Sequence, residues 1–207
     1  MQSAIIVSAV AALAGQSLGG ALLTFEGLPS AGEQVRGVPP PETVLTDDFQ
    51  NLGVLFGGPT TLGVAVVDRV DSFAPSSGVN SVVGLDASGS IPFAASGSIE
   101  FRFVEPGTAT PSIANGVSFT IGDSGNDLDQ FVITAFGAGG QILEQIDEAA
   151  ALRFAVDLSV DNISSVQIAF PFSDTGYSLD DLAFTIVPAP GTSVVMGLAL
   201  LALRRRR

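Results

Sequence analysis

The stretch Ile99-Glu100-Phe101-Arg102-Phe103-Val104 alternates apolar and charged side chains. Successive side chains of a β-strand point to opposite faces, so this period predicts a strand with its three odd-numbered residues facing a core. Glu100 and Arg102 are then expected on a solvated face. Residues 131–136 repeat the alternation more weakly. Short, half-buried strands are therefore the predicted building unit of the chain.

Nine further short runs, bounded by Gly, Pro, Asn or Asp, also predict strands. They are 23–26, 53–56, 64–67, 81–85, 116–121, 130–136, 141–146, 166–170 and 178–186. Ten short strands within residues 22–186 predict an all-β fold, a single antiparallel β-sandwich of the jelly-roll type. Residues 144–153, rich in Ala, Glu and Leu, are expected to form a short helical connector. Residues 39–41 are three prolines and predict an extended loop over one edge of the sandwich.

Composition excludes several kinds of chemistry. The 207 residues include no His, Cys or Trp, and 21 acidic residues stand against 8 basic ones. Nucleophile pairs that need His, thiolate redox sites and zinc sites of the usual ligand types are thereby excluded. All acidic residues lie between Glu26 and Asp181, where the only bases are Arg36, Arg69, Arg102 and Arg153. Such an anionic body repels phosphate, so we expect no nucleic acid partner, while divalent cations and neutral polymers remain.

Residues 1–21 are predicted to be an export signal. An apolar run from Ala4 to Ala14 is followed by small residues and is too short to span a bilayer comfortably. Cleavage after Ala14 or after Ala21 fits the small-x-small rule. We favour Ala21, which leaves Leu22 to begin a strand. Residues 1–3 lack the positive charge that such signals usually carry.

Residues 187–207 have three parts. Val187-Pro188-Ala189-Pro190 ends the last strand, and an apolar run follows from 193 to 203. The sequence then closes with four arginines, Arg204, Arg205, Arg206 and Arg207. Prolines stop a strand, the apolar run suits lipid, and arginines stay on the cytoplasmic side. This order predicts a short transmembrane helix that holds the body outside the inner membrane.

The three-part tail resembles the PEP-CTERM sorting signal of exported proteins from Gram-negative bacteria. Ala189 stands where the name-giving glutamate of that motif is found. The resemblance implies that an exosortase, a membrane-embedded cysteine protease, removes the tail. It also implies transient anchoring in the inner membrane, a final place at the cell surface or outside the cell, and exopolysaccharide as a partner.

Three segments of the body, 23–28, 47–56 and 177–184, look like strands common in PEP-CTERM surface proteins. The first-strand pair Phe25-Glu26 and the last-strand Asp180-Asp181-Leu182 are also similar to jelly-roll carbohydrate-binding modules. In those modules the two ends of the sandwich meet and hold a structural calcium ion. The resemblance implies a Ca²⁺ site at Glu26, Asp180 and Asp181, and oxygen ligands of this kind suit that ion.

Two adjacent aspartates of a strand point to opposite faces. Alternation assigns Asp180 to the face of Leu182 and Phe184, where it would need a partner if buried. A simpler alternative has one aspartate capping the preceding turn and the other solvated. A second acidic cluster, residues 123–129, lacks the spacing of an EF-hand and is explained by turn residues.

The chain is predicted not to be an enzyme, because nothing singles out a pair of carboxyl groups for glycoside hydrolysis. The 14 Phe are expected in the core, and with Tyr177 as the one tyrosine a stacked sugar platform is disfavoured. Acidic and amide groups remain as sugar ligands, with or without Ca²⁺. We expect an exported, non-catalytic protein of the cell surface or extracellular matrix. A secreted carbohydrate-active enzyme and a purely structural matrix protein are the alternatives.

Overall fold

The computed structural model describes residues 20–31, 37–59, 61–68, 76–91, 98–122, 128–150, 153–170 and 177–187. The predicted signal and membrane helices lie outside these ranges, except for Gly20, Ala21 and Val187. Within the described ranges no helix is long and apolar enough to cross a membrane.

The described residues form β-strands and two single-turn 3-10 helices. The strands are β1 (Ala21–Leu23), β2 (Val44–Leu45), β3 (Val54–Phe56), β4 (Val64–Asp68), β5 (Asn80–Gly84), β6 (Ile99–Phe103), β7 (Ile113–Gly122), β8 (Asp129–Phe136), β9 (Ile142–Ala150), β10 (Phe154–Asp157), β11 (Ser165–Ala169) and β12 (Ser178–Val187). The 3-10 turns are Pro41–Thr43 and Gln50–Leu52. The predicted proline loop thus ends in a helical turn before β2.

The strands build two antiparallel sheets. One has the order β10-β7-β12-β5-β4-β2, with β1 also paired to β12. The other has the order β3-β6-β11-β8-β9. The inner faces of the two sheets meet in the larger of two apolar clusters, so the predicted all-β sandwich is confirmed for the described residues.

Phenylalanine dominates the core, as predicted. Phe101 contacts both Phe103 and Phe119 edge-on, with ring centroids 5.8 Å and 6.0 Å apart, so rings from both sheets interlock. Tyr177 is 1% exposed and packs against Phe131 and Phe170. The chain's one tyrosine is therefore a core residue and leaves no aromatic platform of its own.

The predicted helical connector at 144–153 is wrong. Residues 142–150 form β9, which pairs with β8 along nearly its whole length. Leu143 and Ile146 pack against the core from this edge strand. Local helix propensity is a weak prior, and pairing with a long neighbouring strand overrides it.

Two strands escaped prediction, and one predicted strand is displaced. β2 has two residues and β10 has four, which is too short for a readable period. The first strand ends at Leu23, because Phe25 adopts a φ of 57° and turns the chain before Glu26.

Candidate functional site

A groove of about 840 Å³ lies on the outer face of the five-stranded sheet. Neighbouring strands β6 and β11 form its floor. Its walls come from residues 57–59, from residues 111–113 and from the turn between β8 and β9. Val187, at the end of β12, also lines it. The groove is thus built from the face of a sheet and the loops that surround it.

A row of polar side chains crosses the sheet at the floor of the groove. The strand register places Glu100 opposite Gln167, Gln167 opposite Thr134, and Thr134 opposite Gln145. Residues directly opposite in an antiparallel pair share a face. Gln167 Nε2 donates a 2.7 Å hydrogen bond to Glu100 Oε1. This bond fixes the orientation of the Gln167 amide, since only the NH₂ end can donate.

The prediction that Glu100 belongs to a solvated face is wrong. Its side chain does point to the outer face, yet the residue is only 5% exposed. Gly57 N donates to Glu100 O at 2.8 Å, and a Cβ on Gly58 would collide with the Glu100 carboxyl group. The loop after β3 therefore folds over this carboxylate, and glycine at position 58 permits the close approach.

Arg102 is exposed, as predicted, at the other side of the groove floor. Its Nη1 donates to Gly57 O at 3.2 Å, and the register places it opposite Ser165. Among the described residues that line the groove, Arg102 and Glu100 are the only charged ones. The groove therefore carries no net formal charge, although the chain as a whole carries −13.

The walls of the groove are mainly apolar. Phe136, at the end of β8, is half-buried, and Ala138 follows it in an exposed turn. Exposed prolines Pro59 and Pro111 line other parts of the wall. An apolar wall beside a polar floor suits a ligand that has both kinds of surface.

The three residues predicted to hold calcium all contact one segment, residues 76–80. Glu26 Oε1 accepts from Val79 N at 2.9 Å and from Asn80 N at 2.8 Å. Asp180 Oδ2 accepts from Ser77 N at 2.8 Å. The Ser76 hydroxyl lies 2.7 Å from Asp181 Oδ2 and 3.1 Å from Asp180 Oδ2. We call this arrangement the carboxylate latch.

The latch gives every one of these carboxylates a hydrogen-bond donor without an ion. Over the described part of the chain, no three acidic residues are grouped so that they could hold a metal. Calcium binding at Glu26, Asp180 and Asp181 thus stays a prediction, and the hydrogen bonds alone explain why the residues meet.

A β-bulge overturns the face predicted for Asp180. The register pairs Asp180 with Thr120 and Ala183 with Ser118, so two residues of β12 oppose one of β7. Asp181 adopts a φ of 51° at this point. The extra residue reverses the alternation, which places Asp180 on the face opposite to Leu182.

Asp180 is nevertheless buried, with 2% of its surface exposed. Burial raises the pKa of its carboxyl group, while hydrogen bonds from the backbone N–H groups of Ser77 and Asp181 oppose the rise in pKa. It therefore has the partners that a buried carboxylate requires.

The remaining predicted site residues are described only in part. Val187 forms the last pair of β12, opposite Ile113, and its carbonyl accepts from Ser112 Oγ at 3.3 Å. Pro188, Ala189, Pro190 and the four terminal arginines lie outside the described residues. So do residues 123–127 of the second acidic cluster.

Sequence reasoning missed the groove. Gln167 alternates with apolar neighbours, which correctly marks it as outward-facing. Its partner Glu100 is 67 residues away in the chain, and only the strand order brings the two together. No local pattern carries that information.

No family model matches the chain, and no curated protein matches it. Solved structures with a similar arrangement include a xylan-binding domain from CBM 22, with a TM-score of 0.39 and 13% identity. The match covers 76% of this chain and 97% of that domain.

Two larger proteins are similar over part of their length. The arabinose-bound α-L-arabinofuranosidase MgGH51 matches with a TM-score of 0.39 and 13% identity, over 81% of this chain and 26% of that enzyme. The enzymatically active domain of tailspike protein 4 from bacteriophage CBA120 matches with a TM-score of 0.33 and 12% identity, over 72% and 22%. At these values no ligand, activity or site residue is transferred to this chain.

Proposed function

We propose that the chain is an exported, non-catalytic protein of the cell surface whose β-sandwich binds a neutral polysaccharide in the groove. The observation that carries the proposal is the groove itself, in which the half-buried amide of Gln167, oriented by the buried Glu100 carboxylate, lies beside apolar walls. Sugar rings have hydroxyl groups at their edges and C–H groups on their faces. A groove with polar floor and apolar walls complements both surfaces.

Each residue of the groove contacts a different part of the sugar in this proposal. The hydrogen bond to Glu100 fixes the side-chain amide of Gln167, which then contacts ring hydroxyl groups from a fixed position. Arg102 has several N–H donors and uses one of them on Gly57 O. Phe136 supplies an apolar surface against which one face of a sugar can lie.

Charge argues for a neutral ligand. The groove pairs one positive with one negative side chain, and the formal charge of the whole chain is −13. A polyanion would be repelled by the body before it reached Arg102.

Binding is favoured over hydrolysis in this groove. Glycoside hydrolysis by paired carboxyl groups needs two of them about 5 to 10 Å apart. Among the groove's described lining residues Glu100 is the one carboxylate, and it is already bonded to Gln167.

We further propose that the chain is sorted through its tail, as the PEP-CTERM resemblance implies. An exosortase would remove the residues that follow about Pro190, after the apolar run has held the body at the outer side of the inner membrane. This step supports a final place at the cell surface, where exopolysaccharide is the partner within reach.

The test is affinity electrophoresis of the protein anchored by its tail in lipid nanodiscs. We expect retardation by neutral polymers such as xylan or a β-glucan, and none by alginate. Arg102→Ala and Gln167→Ala should each weaken binding about tenfold, the loss expected for one hydrogen bond to a charged or oriented group.

Gln145→Ala is the matched control. Gln145 lies in the same polar row but does not line the groove, so its loss should leave binding unchanged. The proposal is wrong if folded Arg102→Ala binds as well as the unaltered chain, or if neutral polymers do not bind at all. The second result would favour a purely structural matrix protein.

A further inference from the structure

A second row of side chains crosses the groove floor beside the first. The strand register places Arg102 opposite Ser165, and Ser165 opposite Phe136. Residues directly opposite in antiparallel strands share a face, and all three of these residues line the groove. Neighbouring strands lie about 4.8 Å apart, so a guanidinium group, a hydroxyl group and an aromatic ring follow one another across about 10 Å. We call these three residues the Arg102 row.

Arg102 keeps most of its hydrogen-bond donors for a ligand. Its Nη1 donates to Gly57 O at 3.2 Å, and within the described part of the chain it forms no other hydrogen bond or ion pair. That bond leaves the edge of the guanidinium group that carries the N–H groups of Nε and Nη2. These two N–H groups are parallel and lie in one plane, so this edge can donate to two acceptors that lie side by side.

The other two residues of the Arg102 row complement the same kind of ligand. Ser165 is half-buried, and its hydroxyl group forms no hydrogen bond with any of the described residues. Phe136 is half-buried at the far end of the row. A sugar ring that lies over Ser165 would therefore have hydroxyl groups toward Arg102 and C–H groups toward the ring of Phe136.

The geometry of the guanidinium edge discriminates between sugars. Two equatorial hydroxyl groups on adjacent ring carbons hold their oxygens side by side, as this edge of Arg102 requires. An isolated hydroxyl group supplies one acceptor and leaves the second N–H group without a partner in the complex. Because a site built for a hydroxyl group rejects an analogue that lacks it, the affinity for such a sugar is lower.

We propose that the Arg102 row selects neutral glycans whose rings carry two free hydroxyl groups on adjacent carbons. Arg102 binds that pair through Nε and Nη2, while Ser165 and Phe136 contact the same ring. This inference rests on the proposed function of the groove and narrows it to one class of glycan. It excludes chains in which the linkage or a substituent occupies one hydroxyl group of the pair.

Three hexasaccharides separate the pair of hydroxyl groups from the shape of the glycan chain. Cellohexaose keeps the hydroxyl groups on the second and third carbons free in every ring. Chitohexaose has the same linkage and extended shape, but an acetamido group replaces the hydroxyl group on the second carbon. In laminarihexaose the linkage occupies the hydroxyl group on the third carbon of every ring except the one at the non-reducing end.

Isothermal titration of the protein anchored by its tail in nanodiscs measures the three dissociation constants. We expect cellohexaose to bind about ten times more tightly than the other two, the difference that one hydrogen bond to a charged donor makes. Arg102→Lys keeps the positive charge but lacks the planar pair of N–H groups, so it should lose most of this preference. Gln145→Ala, which lies outside the groove, should keep the preference.

Equal affinity for cellohexaose and either of the other two sugars would overturn the inference, because the pair of hydroxyl groups would then not decide binding. A full preference in Arg102→Lys would also overturn it, since the selection would not depend on the guanidinium edge. Failure of all three sugars to bind would overturn it as well. Retardation by neutral polymers in affinity electrophoresis would then show that the proposed function stands without it, whereas no retardation would remove both.

Discussion

Gly53 lies at a close contact between the two sheets, where the backbone leaves no room for a side chain. Its φ is 94°, and a Cβ there would lie 2.7 Å from Ile186 Cγ1 and 2.9 Å from the carbonyl oxygen of Val104. Gly116 also has a positive φ, of 58°, but no atom lies within 4 Å of the place of its Cβ. A side chain at Gly116 would therefore cause backbone strain alone, whereas a side chain at Gly53 would cause both strain and crowding.

We expect Gly53→Ala to lower the free energy of unfolding by about 3 kcal/mol, from left-handed strain together with overpacking. Gly116→Ala should cost about 1 kcal/mol, from the strain alone. Urea denaturation of both variants measures the difference. Similar losses would show that the contacts at Gly53 relax without cost.

Glu100 and Arg102, at the groove floor, show what the alternation of a strand can predict and what it cannot. The alternation of 99–104 correctly gave the outward direction of Glu100 and Arg102. It could not give the burial of Glu100, because the covering loop at Gly58 comes from another part of the chain. Direction is a local property of a strand, whereas burial depends on what folds over it.

At the scale of elements, the carboxylate latch makes stability depend on pH. The raised pKa of Asp180 means that the folded chain holds its proton more firmly than the unfolded chain. Asp180 therefore favours folding increasingly as the pH falls from neutral through its raised pKa toward 3.8. Its ionised form at neutral pH is the less favourable one.

We expect the melting temperature of the unaltered chain, relative to Asp180→Asn, to increase as the pH is lowered from about 7 to about 4. Asp86 is the control for the sign of this effect, since hydrogen bonds from Ser88 and Ser90 lower the pKa of its carboxyl group. Its stabilisation is present above 3.8 and is lost as the pH falls through its lowered pKa. A constant difference between the unaltered chain and Asp180→Asn would contradict the assignment.

The predicted binding of calcium can be tested at the carboxylate latch. If the ion binds, calcium raises the melting temperature by mass action and a chelator lowers it. The double variant Asp180→Ala with Asp181→Ala should lose that response in calorimetry and in titration with the ion. An unchanged melting temperature in chelator removes the calcium site and leaves the hydrogen bonds to Ser76 and Ser77 as the whole explanation.

The elements also show where sequence reasoning reaches its limit. The periods of β6 and β7 are clear enough to predict a strand at each place, although β7 is longer than the predicted 116–121. β9 was partly misread as a helix, since its Glu and Ala content outweighed a weak period. The bulge at Asp181 reverses the face of the residues beyond it. Its signature is a shift in the apolar period from Leu179 to Leu182 and Phe184, which an alternation applied to the whole strand passes over.

At the scale of the whole molecule, the predicted processing has a direct measurement. Mass spectrometry of the protein from its native host should show a first residue at Leu22 and a last residue near Pro190. Cleavage after Ala21 keeps two of the three β1 pairs with β12, so the sandwich can retain this strand. An intact mass that includes residues 1–21 and the four terminal arginines would refute both export cleavage and tail removal.

The sandwich could be predicted from sequence, while the groove could not. Core composition and strand periods predict two packed sheets, but they do not predict the order of the strands within each sheet. The position of the groove depends on β6 lying beside β11, a pairing that spans more than sixty residues of intervening chain. Order within a sheet is a global property.

The pairing of β1 with β12 determines how the molecule bears mechanical load. Ala21 pairs with Phe184, so both ends of the body leave from the same end of one antiparallel pair. A force applied to both ends therefore breaks the hydrogen bonds between β1 and β12 one after another. If residues 1–21 are removed as predicted, a force applied to the C-terminal end of the body enters through β12 alone, which lies between β7 on one side and β5 and β1 on the other. Such a force acts on an interior strand of the sheet, so the hydrogen bonds of several strand pairs must break together before β12 separates from the body.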